Sequence, residues 1–175
     1  MNQSSNLNNP DNPDMQNITD IKKLTDQIKT KAQGINFNLN NHQIQQLVNY
    51  LQLMQKWNKA YNLTAITDAD KIIEYHFIDC LQICNQLKSY KNILDVGTGA
   101  GLPGIIIAIA SSNNISNNPD HSVEKIKPKI KPKISLLDKN GKKVKFLKQV
   151  CHQIGLNNTE CIHSRVEVLA NKLEK

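Results

Sequence analysis

In the second half of the chain, short apolar runs alternate with longer patterned segments. Runs at 93–96, 134–137 and 159–162 have the length of strands, and the first of them reads as a buried strand. Segments at 102–110, 141–154 and 165–173 follow them with helical patterning, and Pro103 suits the first turn of its helix. This repeated alternation predicts an α/β fold whose parallel sheet is wound in the Rossmann manner.

The first half of the chain has helical periodicity only. Ile21, Leu24 and Ile28 form a short amphipathic segment, and a stronger helix begins near Asn40 or Asn41, either of which can cap it. The apolar stripe of that stronger helix is Ile44, Leu47, Val48, Leu51, Met54 and Trp57. A third helix is predicted from Thr67, with Asp70 in a capping-box-like pairing. Its expected buried face is Ile72, Ile73, Phe77, Cys80, Leu81 and Cys84.

These patterns divide the chain into three parts and an insert. Residues 1–17 are mostly polar and are expected to be disordered, because they cannot bury enough apolar surface to offset the entropy of ordering. Residues 18–90 form an N-terminal helical region, and residues 91–175 form the sheet domain. Within that domain, residues 111–133 read as an exposed basic loop insert.

A glycine-rich loop follows the first predicted strand and supports two interpretations. Gly99, Gly101 and Gly104 fit the spacing of a dinucleotide-binding fingerprint, in which a helix N-terminus receives pyrophosphate. Read from Asp95, however, the same stretch places a carboxylate at the strand end, with Gly97 directly after the strand. A carboxylate there repels pyrophosphate and attracts an ammonium group, which favours S-adenosylmethionine as the ligand.

Asp138 closes the second predicted strand and is the second candidate ligand-binding carboxylate. An acid at this place accepts hydrogen bonds from the ribose hydroxyls of an adenosine ligand. Nicotinamide dinucleotides use the same contact, so Asp138 favours adenosine binding without choosing the cofactor. A simple helix cap before Lys139 is compatible with this interpretation.

Charge and cysteine content narrow the choice of partners. The chain of 175 residues has a net charge of +7, and residues 121–150 contain ten lysines against two acids, which favours a nucleic-acid partner or a solvated loop about equally. The four cysteines lack paired CxxC spacing, so no metal site is expected. No signal peptide or membrane span is recognised, and the expected location is the cytoplasm.

Six motifs make the chain resemble the bacterial RsmG family, also called GidB, over about residues 39–169. They are KWNKAYNLT at 56–64, HFID at 76–79, DVGTGAGLPG at 95–104, LLD at 136–138, GKKVKFL at 141–147 and SRVE at 164–167. The resemblance implies a class I methyltransferase fold and S-adenosylmethionine-dependent methylation of a guanine N7 in 16S ribosomal RNA. It also implies that Gly97 and Leu102 line the cofactor pocket, and that Val166 and Glu167 lie near the adenine.

The same resemblance implies an RNA surface and a small-subunit partner. The candidate RNA-binding residues, which serve to contact phosphates or to stack on bases, are Lys56, Trp57, Lys59, Lys142, Lys143, Lys145 and Arg165. Guanine N7 carries no proton at neutral pH, so no general base is required and no catalytic residue is nominated. The protein is expected to act as a monomer.

The chain departs from the family pattern in ways that keep other hypotheses open. Three strands are predicted where a complete fold of this type has about seven, so we expect an incomplete sheet and a chain truncated at its C-terminus. One alternative is therefore a non-catalytic remnant of such an enzyme. The other is an NAD-dependent oxidoreductase, which only the overlapping Gly99 frame favours.

Overall fold

The computed structural model describes residues 13–87, 89–112 and 131–173. The first part of the chain forms α1 (Pro13–Gly34), α2 (Asn41–Tyr61), α3 (Ala69–Ile72), a π-helix (Ile73–Ile78) and α4 (Asp79–Cys84). The sheet domain then runs β1 (Asn92–Val96), α5 (Gly104–Ser111), β2 (Lys133–Asp138), α6 (Gly141–Gln153), β3 (Thr159–His163) and α7 (Val166–Leu173).

The three strands form one parallel sheet in the order β1-β2-β3. Ile93 lies opposite Ile134, and Leu136 lies opposite both Asp95 and Cys161. All three carboxyl ends therefore meet at one edge of the sheet, where parallel α/β folds bind their ligands. The predicted α/β fold with helices between parallel strands is confirmed.

The two faces of this sheet differ in their cover. Ile134 and Leu136 point toward α5 and α6 and are 0% exposed, so we call this the helix-covered face. The alternate positions form the open face, which is exposed only at β1: Leu94 is 46% exposed and Val96 is 52% exposed, whereas Leu137 of β2, opposite Val96, is 1% exposed. The expectation that 93–96 is a fully buried strand is therefore wrong for these two side chains.

Helix α2 is fastened across α5 and α6 by buried glutamines. Asn40 caps α2 in a reciprocal capping box with Gln43, as the sequence predicted for Asn40. The Gln43 side-chain amide also donates to the Ile109 carbonyl at 3.0 Å, and that of Gln46 donates to the Ile154 carbonyl at 2.7 Å. The apolar stripe of α2 thereby joins the core of the sheet domain.

Several predicted boundaries are corrected by the structure. Asp68, not Thr67, caps α3, because its carboxylate accepts from the Lys71 amide at 2.9 Å. Helix α5 begins at Gly104 with Pro103 as its N-cap residue, two positions later than predicted. Residues 13–17 of the expected disordered tail lie in α1, whereas residues 1–12 and most of the 111–133 insert lie outside the described residues.

None of the helices in the described ranges is long and apolar enough to span a bilayer. Cys84 is buried and Cys80 is half-buried on the helical layer, in line with their predicted packing role. Burial raises the pKa of the Cys80 thiol to about 12, so this thiol is protonated at neutral pH.

Candidate functional site

The glycine loop between β1 and α5 adopts a backbone that glycine alone allows easily. Gly97, Gly99 and Gly101 have φ values of 70°, 63° and 101°. A Cβ at Gly101 would lie 2.5 Å from Ile105 Cγ1, whereas a Cβ at Gly97 would meet no heavy atom within 4 Å. The loop is thus packed tightly at Gly101 and is open to solvent at Gly97, where a ligand can approach the backbone.

Asp95 fastens both ends of this loop with one carboxylate oxygen. Its Oδ2 accepts a hydrogen bond from the Thr98 hydroxyl at 2.6 Å and another from the Gly104 amide at 2.9 Å. Gly104 is the first residue of α5, so the carboxylate already occupies the place at the helix N-terminus that an anion would take. Neither bond uses Oδ1.

Asp138 holds the middle of the loop from the end of β2. Its Oδ2 accepts from the Gly99 amide at 3.0 Å, and its Oδ1 accepts from the Asn140 amide at 2.7 Å. Asp138 is only 7% exposed, and each of its oxygens keeps a further acceptor position for a ligand hydroxyl. Asn140, not Asp138, is the N-cap of α6, because its side chain accepts from the Lys142 amide at 3.0 Å. The prediction of a simple helix cap at Asp138 is therefore wrong, and the carboxylate instead holds the loop and the residue that caps α6.

The loop is electrostatically suited to a cation. Burial raises the pKa of Asp95, the hydrogen bonds from Thr98 and Gly104 lower it, and the charge of Asp138 raises it again. A positive group placed between the two carboxylates would relieve this repulsion. Lys143 is the nearby protein cation, with Nζ 3.9 Å from the position of a Cβ at Gly99.

Most loop amides already have partners inside the chain. Gly97 and Thr98 donate to the Leu137 carbonyl at 2.8 and 3.1 Å, and Gly101 and Leu102 donate to the Thr98 carbonyl at 2.9 and 3.1 Å. With Gly99 and Gly104 bound to the two carboxylates, few amides remain for a pyrophosphate. The geometry therefore speaks against the dinucleotide interpretation of the Gly99 frame.

A cleft of about 480 Å³ lies beside Asp138, at the carboxyl ends of β2 and β3. It is lined by Lys139, Asn140, His163, Ser164 and Arg165. Val166 and Glu167 follow directly in the first turn of α7 and are exposed, Val166 at 41%. The cleft has the position that an adenosine group would need if its ribose met Asp138.

The structure separates the candidate RNA-binding residues into several places. Trp57 and Lys142 come together around Tyr61, and Lys143 reaches the glycine loop. Lys56 lines a groove with Gln153, and Lys59 lines a different cleft with Asn62. Arg165 lines the cleft beside Asp138, while Lys145 is exposed on α6.

Three residues of this region were missed by the sequence analysis. Thr98 is 2% exposed and orients Asp95, and a hydroxyl residue inside the motif was an available signal. The Tyr50 hydroxyl donates to the Ala100 carbonyl at 2.7 Å, and burial raises the pKa of Tyr50. Tyr61 packs on Trp57, and its place in the 56–64 motif was the signal for it.

Comparison with known proteins identifies the family. The family profile of GidB, rRNA small subunit methyltransferase G, matches residues 43–116 and 122–175. A Ribosomal RNA small subunit methyltransferase G of Yersinia pseudotuberculosis serotype O:3 (strain YPIII) is 40% identical over 152 residues, which is 87% of this chain and 63% of the relative.

Two further relatives carry the same name. The protein of Marinomonas sp. (strain MWYL1) is 39% identical over 142 residues, covering 81% of this chain and 59% of its own length. The protein of Clostridium botulinum (strain ATCC 19397 / Type A) is 36% identical over 149 residues, covering 84% and 55%. The chain thus spans 55–63% of the length of the curated relatives it matches. With its parallel sheet and glycine loop, the chain belongs to the rRNA small subunit methyltransferase G family.

Proposed function

We propose that this chain transfers a methyl group from S-adenosylmethionine to the N7 atom of a guanine in 16S ribosomal RNA. The observation that carries the proposal is the Asp95 carboxylate at the N-terminus of α5, facing Asp138 across the glycine loop. This acidic loop suits a ligand with positive charge and disfavours pyrophosphate. The names of the relatives supply the substrate class.

The residues around the loop fit such a cofactor. The open backbone at Gly97 and the exposed position of Val166 leave room for a ligand on either side of Asp138. Asp95 would attract the ammonium group, Asp138 would accept from the ribose hydroxyls, and Glu167 would lie near the adenine. The remaining contacts would come from Gly97, Gly99, Gly101, Leu102 and Val166. When bound, S-adenosylmethionine would supply a methyl group on a positively charged sulfur.

The proposed reaction requires little from the protein beyond alignment of the methyl donor with the guanine. Guanine N7 has a lone pair and no proton to remove, so no side chain has to act as a general base. Asp95 and Asp138 would hold the donor's amino-acid end and its ribose, so the chain's own contribution would be orientation of the bound donor. For this reason the catalytic residues remain unassigned, and positioning is the role proposed for Asp95 and Asp138.

The RNA would be held by six lysine and arginine side chains and by Trp57. Lys143 reaches the cofactor loop, Arg165 lines its cleft, and Lys142 lies over the Tyr61 ring. The other three cations, Lys56, Lys59 and Lys145, lie on α2 and α6. Phosphate contacts of this kind position a substrate without reading its sequence. We further propose that the chain acts as a monomer on the small ribosomal subunit, in the cytoplasm.

Calorimetric titration with S-adenosylhomocysteine tests the cofactor assignment. Asp138→Ala is expected to weaken binding by about 1–3 kcal/mol, because it removes the acceptors for the ribose hydroxyls. Asp26→Ala on the exposed face of α1 is the control and should bind as the unsubstituted chain does. Binding of NAD without binding of S-adenosylhomocysteine would refute the proposal.

A further inference from the structure

An aromatic cluster forms where α2 ends. The Trp57 and Tyr61 rings are stacked with centroids 5.1 Å apart, and Trp57 also packs on Phe146 of α6 at 5.6 Å. Phe146 is 0% exposed, Trp57 is half-buried and Tyr61 is 39% exposed. The three rings therefore lead from the core to the surface, with Tyr61 outermost, and we call them the aromatic step.

The backbone around this step is well ordered by hydrogen bonds. Asn62 ends α2 in a left-handed conformation with φ 48°, and its amide donates to the Asn58 carbonyl at 3.1 Å. The Asn58 side chain bonds both the amide and the carbonyl of Thr64, at 2.9 and 3.0 Å. The backbone that carries Tyr61 is thus held by hydrogen bonds, and its ring is stacked on Trp57, so less freedom is lost when a partner binds.

The step adjoins the glycine loop through the first turn of α6. Lys142 Nζ lies 5.9 Å from the centroid of the Tyr61 ring, while the next residue, Lys143, reaches toward Gly99. Two consecutive lysines thereby connect the aromatic step to the loop proposed to hold the methyl donor. Because Lys142 is exposed and flexible, its ammonium can leave the ring without disturbing the fold.

We propose that Tyr61 stacks a nucleobase of the RNA substrate beside the reacting guanine site, with the Lys142 ammonium moving from the ring to a phosphate. This inference rests on the proposed function and adds a residue that contacts a base of the RNA. An exposed, pre-positioned ring beside a mobile cation is the pairing that single-stranded RNA requires, because bases stack on aromatic rings and phosphates pair with lysine.

The test compares RNA binding by three variants of the full chain. Short single-stranded RNA carrying a dye is titrated with protein, and fluorescence anisotropy gives the affinity. Tyr61→Ala should weaken binding about 5- to 100-fold, as expected when one stacking platform is lost. Tyr61→Phe keeps the ring and should stay within about twofold of the unsubstituted chain. Tyr75→Ala removes another exposed tyrosine, on the π-helix, and should also bind normally.

Three further measurements separate stacking from charge. RNA made with abasic residues should bind the unsubstituted chain weakly. Its affinity for the Tyr61→Ala variant should be no lower. Trp57 is the chain's only tryptophan, and its emission should change when intact RNA binds but not when abasic RNA binds. Lys142→Ala should reduce the salt dependence of binding, whereas Tyr61→Ala should leave that dependence unchanged.

The inference is overturned if Tyr61→Ala binds intact RNA as tightly as the unsubstituted chain, or if the unsubstituted chain binds no RNA. Equal losses for intact and abasic RNA would also overturn it. Binding of S-adenosylhomocysteine, measured on the same proteins, should be equal in all variants. If the unsubstituted chain did not bind S-adenosylhomocysteine, that result would instead count against the proposed function.

Discussion

The helix-covered face of the sheet and the β1 part of its open face carry similar apolar side chains but differ sharply in burial. Leu136 on the first is 0% exposed, whereas Leu94 on the second is 46% exposed. Both residues lie in short apolar runs that predict strands equally well. The difference shows that a local pattern indicates a strand without indicating what covers each of its faces.

The same comparison applies to the candidate site. Asp95 and Asp138 project from the helix-covered face, so their carboxylates meet the glycine loop and the start of α5. Residues one position away point their side chains to the open face, and Leu137 contacts the loop only through its backbone carbonyl. The two candidate carboxylates therefore lie on the face that α5 and α6 cover.

The largest predicted effect contrasts one leucine from each face. Leu136→Ala should reduce the free energy of unfolding by about 2–5 kcal/mol, because it leaves a cavity in a packed core. Leu94→Ala should cost less than about 1 kcal/mol, because this side chain already contacts water. Urea denaturation of both variants measures the difference. Equal losses would mean that the open face is covered in solution.

A smaller effect is predicted for the glycine loop. Gly101→Ala should cost about 2–4 kcal/mol, since its Cβ would press on Ile105 and Leu147 at a φ of 101°. Gly34→Ala is the matched control, because a Cβ there meets nothing within 4 Å. Thermal unfolding of the pair should place Gly34→Ala close to the unsubstituted chain. A small loss of stability in Gly101→Ala would show that the loop can shift to accept the added methyl group.

The smallest effect on stability is predicted for Asp95→Asn. The amide oxygen can still accept from Thr98 and Gly104, and the cost of burying a charge disappears. Burial raises the pKa of Asp95, so the ionised group costs folding free energy at neutral pH, and this cost is relieved as pH falls through the raised pKa. Asp95→Asn should accordingly unfold at the same temperature or slightly higher.

Ligand binding should respond to Asp95→Asn in the opposite direction. The proposed attraction for an ammonium group is lost, so affinity for S-adenosylhomocysteine should fall by about 1–3 kcal/mol in calorimetry at neutral pH. In the unsubstituted chain, affinity for S-adenosylhomocysteine should also fall as the pH drops through the pKa of Asp95. Burial raises this pKa above the ordinary value of about 3.9. If the affinity depended on pH identically in both proteins, Asp95 would only hold the loop in place and would not attract the ligand.

Much of the secondary structure followed from local patterns. The strands, α2 with its Asn40 cap, and the helices after each strand were predicted within a few residues. The start of α3 was missed because Thr67 and Asp68 are both good capping residues, and only the geometry of the Lys71 amide chose between them. At the start of α5, the Gly104 amide donates to Asp95 at the end of β1, a contact that a local capping signal cannot reveal.

The sequence by itself determined the glycine loop, its two carboxylates and the family, because these depend on residue types at fixed spacing along the chain. Tertiary structure alone decided that one Asp95 oxygen fastens the loop to α5, and that Tyr50 and Gln43 anchor α2 from far along the chain. It also decided that Lys142 lies over the Tyr61 ring while Lys143 reaches toward Gly99. Those contacts join residues widely separated in sequence, so they exist only once the helices have packed on the sheet.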